Sequence, residues 1–176
     1  MATRIFGSSI KRREDPKLIT GEAQYLEDIQ LHGMVHAAVL RSPYAHANIR
    51  SINVEEAKAV DGVIGVFTGK DFEELPALTS AWQAGGVDNN ANTPRVLEIE
   101  RVTFTGAAVA VVVAENRYIA QDAVGLIEVD YEPLPVVVDA EEASQKGAPQ
   151  LHENAPGNIC MDWACGQEEG TEAALD

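Results

Sequence analysis

Cysteine is nearly absent: the 176 residues contain two, Cys160 and Cys165, both close to the carboxyl end. That excludes a disulfide-stapled scaffold and fits a reducing, cytoplasmic setting. Basic residues are also scarce, with 13 Lys and Arg against 28 Asp and Glu and a net charge of −15. A surface this acidic repels phosphate, so nucleic acid and anionic membranes are excluded as partners. No apolar run approaches the roughly 20 residues a membrane span needs. The opening MATRIFGSSIKRREDPKL has no apolar segment for a secretory leader. After the Arg12-Arg13 pair come Glu14, Asp15 and Pro16, where such a segment would have to stand. With 45% apolar and 23% charged residues, the expectation is a soluble, acidic, cytoplasmic protein of one domain with a small appendage.

The catalytic signatures are missing as well. There is no G-x-S-x-G elbow, no phosphate-cradling G-x-x-x-x-G-K-[ST] and no H-E-x-x-H. Gly69-Lys70 lacks both the earlier glycine and the following hydroxyl. His32 and His36 would lie about 13 Å apart on a strand, too far to share a metal. Cys160 and Cys165 resemble part of an iron–sulfur spacing, but a cluster needs four such ligands. Ser42 with His46 is the local hint of a nucleophile and base, and such a pair is defined by geometry rather than by nearness in sequence. No residue is therefore expected to be catalytic, cofactor-binding or metal-binding.

What is present reads as alternating strands and short helices. MVHAAVL (34–40) reads as a strand brought to a stop by Ser42-Pro43, and ANIRSIN (47–53) as a strand with Ala47, Ile49 and Ser51 on one face. Asn53 with Glu56 has the spacing of a capping box, for a helix through Ala57 and Ala59 that ends near Asp61-Gly62. GVIGVFTG (62–69) is a glycine-bounded strand. VTFTGAAVAVVVAE (102–115) contains a strand covered on both faces. Asn116 caps a helix with Ile119, Ala123, Leu126 and Ile127 on its apolar stripe. Ile127, Val129 and Tyr131 alternate as a strand that Pro133 and Pro135 break, and Asp139 caps a short helix ended by Gly147. Residues 76–95 lack any period, and the large apolar Trp82 within them serves either its own core or an interface. Strand, helix and strand in close succession make this an α+β or α/β domain, of which α+β is the fold class expected.

Three stretches, in order, resemble the opening of the large subunit of molybdenum hydroxylases, the xanthine dehydrogenase, aldehyde oxidase and aerobic carbon monoxide dehydrogenase family. GSSIKRREDPKLITGEAQYLEDI (7–29) is similar to that family's arginine–acid pair followed by G-x-x-x-Y-x-x-D. AAVLRSPYAHANIRSINVEEAKAVDGVIGVFTGKDF (37–72) resembles its R-S-P-x-A-H-A-x-I signature and the G-V-x-x-V-x-T-G-x-D beyond it. VTFTGAAVAVVVAENRYIAQDAVGLIEVDYEPLPVVVDAEEA (102–143) resembles its G-x-x-V-A-x-V-x-A…A-x-D-A…V-x-Y-x-x-L-P segment. One departure is Ala107-Ala108, where the family commonly has glutamate and proline after the glycine.

The resemblance implies an α/β hammerhead domain over residues 31–146, preceded by a lead-in segment, 1–30. Residues 147–176 are then a linker and the start of a truncated molybdenum-cofactor-binding domain, since NICMDWACGQEEGTEAALD is similar to the family's segment entering that half. The pterin contacts and catalytic glutamate of the family lie outside this chain. It implies an enzyme complex that hydroxylates an aldehyde or N-heterocycle, or oxidises carbon monoxide, with this chain alone inactive and acting as scaffold. Molybdopterin of the cytosine dinucleotide type, [2Fe–2S] and FAD are expected in the complete complex, none of them bound by this chain. The expected partners are the remaining large-subunit portion, an iron–sulfur subunit and a flavin subunit. A stand-alone interaction module without activity is the alternative, and a small hydrolase built on Ser42 and His46 a third.

Overall fold

The computed structural model describes residues 7–78, 90, 92–163, 166–167 and 170–171. Trp82 and Cys165, and with them the expectations placed on them, lie outside the described residues. The chain divides into two compact units, 1–34 and 35–176.

The first unit is held by local hydrogen bonds. Pro16 sits in the opening turn of α1 (Asp15–Ile19), where its missing N–H costs nothing. The Thr20 hydroxyl donates back to the Pro16 carbonyl at 2.8 Å. The Asp28 carboxylate accepts from the Tyr25 backbone N–H at 2.8 Å and fixes a tight turn at 26–28. None of its described residues is buried; Ile19 is 86% and Leu26 85% exposed.

The second unit is an α+β body made of two three-stranded antiparallel sheets. One has the order β1–β5–β3, from β1 (His36–Arg41), β5 (Ala108–Ala114) and β3 (Val63–Thr68). The other has the order β4–β2–β6, from β4 (Arg101–Val102), β2 (Ala47–Asn53) and β6 (Glu128–Pro133). The VAVVV run is the central strand β5, flanked on both sides. Its inner row, Ala110, Val112 and Ala114, is fully buried. That row packs with Val66, Ala38 and Leu40 beneath α2 (Glu55–Lys58) and α3 (Arg117–Val124). Burying a valine in this way stabilises by about 1.5–3 kcal/mol. A second core gathers Ala47, Val102, Ala107 and Val109 against Ile49, Ile52 and Tyr131.

Asn116 caps α3 as its spacing requires, its side chain accepting from Tyr118 and Ile119 N–H at 3.0 Å. Asp139 caps α4 (Ala140–Ser144) in the same way, at 2.9 Å to Glu141 and Glu142 N–H.

Three local expectations are corrected. In β2 the register slips between Ile49 and Ser51, a bulge at Arg50, so Ser51 faces water and Ile52 turns into the core. The N-cap of α2 is Val54 rather than Asn53; Asn53 accepts from Glu55 N–H at 3.2 Å, and no capping box with Glu56 forms. Leu126 is exposed, because α3 stops at Val124 with Gly125 as its C-cap. Ala120 and Val124 fill the stripe instead.

Candidate functional site

The joint between β1 and β2, RSPYAHA, concentrates polar side chains, and the fold spends them on internal bonds. Ser42 N–H donates to the Ala107 carbonyl and Gly106 N–H to the Ser42 carbonyl, both at 2.8 Å. The Arg41 guanidinium donates to the Gly106 carbonyl at 2.8 Å. Gly106 has φ +91°, a conformation that a side chain would strain. These bonds tie the 41–44 turn to the entry of β5.

Ser42 is 2% exposed, and its hydroxyl lies 3.0 Å from Tyr44 N–H, from which it accepts, and 3.1 Å from the Tyr44 carbonyl. His46 is 5% exposed, with Nδ1 2.7 Å from the Pro135 carbonyl, where it can only be the donor. Leu134 N–H returns to the His46 carbonyl at 3.0 Å. Ser42 and His46 thus serve separate backbone partners, Ser42 in a hydroxyl-closed turn and His46 pinning the Leu134–Pro135 exit of β6. A serine nucleophile needs a base within hydrogen-bond reach, and the bonds at this joint supply none.

Tyr131 stacks on Tyr44 with ring centroids 5.1 Å apart. Burial pushes its phenol above the ordinary value; the nearby Ser42 hydroxyl offsets part of that rise and Tyr44 adds to it. The Tyr131 hydroxyl and His46 Nε2 are both buried and meet no hydrogen-bond geometry with the described residues.

Beside the joint runs a surface ladder. Arg101 Nε donates to Asn48 Oδ1 at 3.1 Å, Asn48 to Glu132 at 3.3 Å, and Arg50 to Glu132 at 2.8 Å. The Arg50 bond holds the Glu132 carboxyl below its usual range, and Glu132 in turn raises Arg50. A cavity of about 770 Å³ opens next to it, lined among others by Arg95, Glu98, Glu100, Arg101, His152 and Glu153. Burial raises the Glu98 carboxyl. Burial, then His46 and Arg101, lower His152.

Three carboxylates line this cavity against two arginines, Arg95 turned to the Glu73 and Leu75 carbonyls and Arg101 to Asn48. Among the described residues no three His, Cys, Asp or Glu converge on a metal position. His36 is half-buried at the start of β1, His32 is exposed in the first unit, and the Cys160 carbonyl accepts from Asn90 N–H.

The remaining feature is apolar. The outer row of the β1–β5–β3 sheet pairs Ala37 with Val113 and Gly65, and Val39 with Val111 and Phe67. Val39 and Phe67 stay 39% and 38% exposed. The expectation that VAVVV is covered on both faces holds within this chain for the inner row, while Val111 and Val113 on the outer row stay half-buried.

A family model for the aldehyde oxidase and xanthine dehydrogenase a/b hammerhead domain matches residues 20–135. The chain is 40% identical, over 96% of its length, to the carbon monoxide dehydrogenase large chain of Afipia carboxidovorans, and spans 22% of that protein. It is 36% identical, over 80% of its length, to the xanthine dehydrogenase molybdenum-binding subunit of Escherichia coli O157:H7, 19% of which it covers. The solved structure of quinoline 2-oxidoreductase from Pseudomonas putida 86 superposes with a TM-score of 0.73 at 42% identity, over 85% of this chain and 19% of that one. The Cu,Mo-CO dehydrogenase superposes at 0.74 and 36% identity, over 96% and 22%. The chain therefore spans about a fifth of the length of the relatives it matches.

Proposed function

Since the chain belongs to the aldehyde oxidase and xanthine dehydrogenase a/b hammerhead family, we propose that it is the non-catalytic scaffold and subunit-interface portion of a molybdenum-dependent hydroxylase. The whole enzyme hydroxylates a carbon centre of a small molecule such as an aldehyde or N-heterocycle, or oxidises carbon monoxide. Molybdopterin, [2Fe–2S] and FAD belong to the complex and are held outside residues 1–176, by the remaining large-subunit portion, an iron–sulfur subunit and a flavin subunit. Within the chain, residues 1–30 are the lead-in, 31–146 the hammerhead and 147–176 the passage into the cofactor half. Surface acidity and the absence of any helix long and apolar enough to cross a membrane among the described residues support assembly with proteins rather than lipid.

The observation that carries this reading is the contrast between consumed polar groups and unconsumed apolar surface. Ser42, Arg41 and His46 Nδ1 are bonded to backbone groups of the chain, while Val39 and Phe67 remain partly exposed. A patch like that marks a contact surface. Purification of the tagged chain from its native cells tests it: the remaining large-subunit polypeptide and a [2Fe–2S] protein should co-elute. A monodisperse monomer that ignores both would overturn it.

A further inference from the structure

Residues 139–158 follow β6 as a self-bonded element. Asn158 donates through Nδ2 to the Ala143 and Pro149 carbonyls at 2.9 Å and accepts from Leu151 N–H at 2.9 Å. The Gln150 carboxamide accepts from Gly157 N–H at 3.2 Å and donates to the His152 carbonyl at 2.7 Å and to the Ala155 carbonyl. With the Asp139 cap of α4, these bonds join helix and loop into one piece. Among the described residues, every hydrogen bond made by 139–158 stays inside that stretch.

Its connection to the sheets is narrow. His46 pins Leu134 and Pro135 at the end of β6, and residues 136–138 then run on without a hydrogen bond to any described residue. Val136 and Val138 are 50% and 91% exposed. A few residues of this kind can absorb a hinge rotation while the bonds at both ends persist. Beyond the element, the Cys160 carbonyl accepts from Asn90 N–H at 2.8 Å, a tether to the irregular 76–95 stretch rather than to either sheet.

The element meets the body across the cavity of about 770 Å³, which Leu151, His152 and Glu153 wall on one side. His152 is half-buried there. It feels Arg101 from β4 and His46 from the start of β2, with Arg95, Glu98 and Glu100 lining the same cavity and Glu153 beside it in the chain. Burial, then His46 and Arg101, hold its imidazole below the ordinary 6.5, and the carboxylates do not reverse that direction. The closed arrangement therefore favours a neutral ring. That preference stabilises it above 6.5 and is lost as pH falls below 6.5.

We propose that residues 139–158 are an acid-released flap, closed over the cavity at neutral pH and swung away on the 136–138 strap when His152 gains a proton. Opening widens the cavity beside Asn48 and Arg101 and takes the charged ring into water. The inference goes beyond the scaffold reading and does not depend on it.

The distance between two spin labels tests this on the full 176-residue chain. Cys160→Ser and Cys165→Ser clear the background, and Gln145→Cys and Thr105→Cys, at exposed positions on the flap and the body, carry the labels. A longer separation should appear as pH falls from about 8 to about 5. Its fraction should rise at least about 3-fold, in step with the His152 ring protons followed by nuclear magnetic resonance. His152→Gln, which cannot take the proton, should hold the short separation across the range. His152→Lys, charged throughout, should show the long one already at about pH 8. Both are compared at a wild-type circular dichroism spectrum, and if the lysine variant does not fold the glutamine variant decides alone. A separation that stays constant with pH, or lengthens equally in His152→Gln, overturns the flap.

Discussion

The two faces of the β1–β5–β3 sheet are built from the same residue types and meet different surroundings. Inward, Ala38, Leu40, Val66, Ala110 and Val112 lie in one continuous core beneath α2 and α3. Outward, Ala37, Val39, Val111, Val113 and Phe67 form an equally apolar row that stays partly exposed, and no acidic residue interrupts it in a chain of net charge −15. A charge on the first face must be buried unpaired. On the second it reaches water, at the cost of local contacts such as the Phe67–Phe72 ring pair, centroids 6.0 Å apart. On the proposed reading, stability and assembly are written on opposite sides of the same three strands.

The largest effect expected is at Val112. Val112→Asp places an unpaired carboxylate in the core and should cost about 4 kcal/mol or more, seen as loss of the cooperative thermal transition. Its counterpart Phe67→Asp should leave the transition within about 1 kcal/mol of wild type while lowering recovery of partner chains in a pull-down. If both variants unfold, or both assemble, the distinction between the faces collapses.

His46→Ala is next, because it removes the donor to the Pro135 carbonyl and leaves a buried gap. A loss of about 2–3 kcal/mol is expected, read by urea denaturation. In an assembled, cofactor-loaded complex the same variant should turn over normally. Asn116→Ala should cost about 1 kcal/mol by uncapping α3, with no effect on partner recovery.

The smallest effect concerns pH. Burial raises the Glu98 carboxyl above its ordinary 4.5, so its ionised form is disfavoured in the folded chain. A raised carboxyl contributes stability at low pH and loses it as pH rises through the folded value. Glu98→Gln should therefore stabilise slightly at neutral pH, and the gain should vanish as pH falls below 4.5. A gain that grows on acidification would reverse the sign.

The sequence was informative wherever a local rule decides the outcome. Asn116 and Asp139 cap helices because their carboxamide or carboxylate reaches the second and third N–H of the turn. Pro43 ends β1, and Pro133 and Pro135 end β6, because proline cannot continue a ladder. The resemblance around RSPYAHA also holds, and the hammerhead fold follows with it.

Legibility failed where tertiary contacts decide. A bulge at Arg50 reverses the side on which Ser51 and Ile52 point, and nothing in ANIRSIN announces a bulge. Leu126 fits a helical stripe on paper, yet Gly125 closes the helix one residue earlier and turns it outward. The joint misleads in another way. Ser42 and His46 are the residue types of catalysis, and only their bonds to Tyr44 and Pro135 reveal that the Ser42 hydroxyl and His46 Nδ1 are engaged in structure. Alternation cannot say whether the valines of β5 are covered by this chain's helix or by another polypeptide, since both look the same in sequence.

The central proposal, that residues 1–176 supply structure and interface while the cofactors are held outside them, is tested most directly by following molybdenum and flavin. The native complex containing the chain is purified, its metal and flavin content measured, and the measurement repeated on each polypeptide after mild dissociation. The account predicts molybdenum and flavin in the intact complex and neither with residues 1–176. Molybdenum that travels with this chain after dissociation would contradict it.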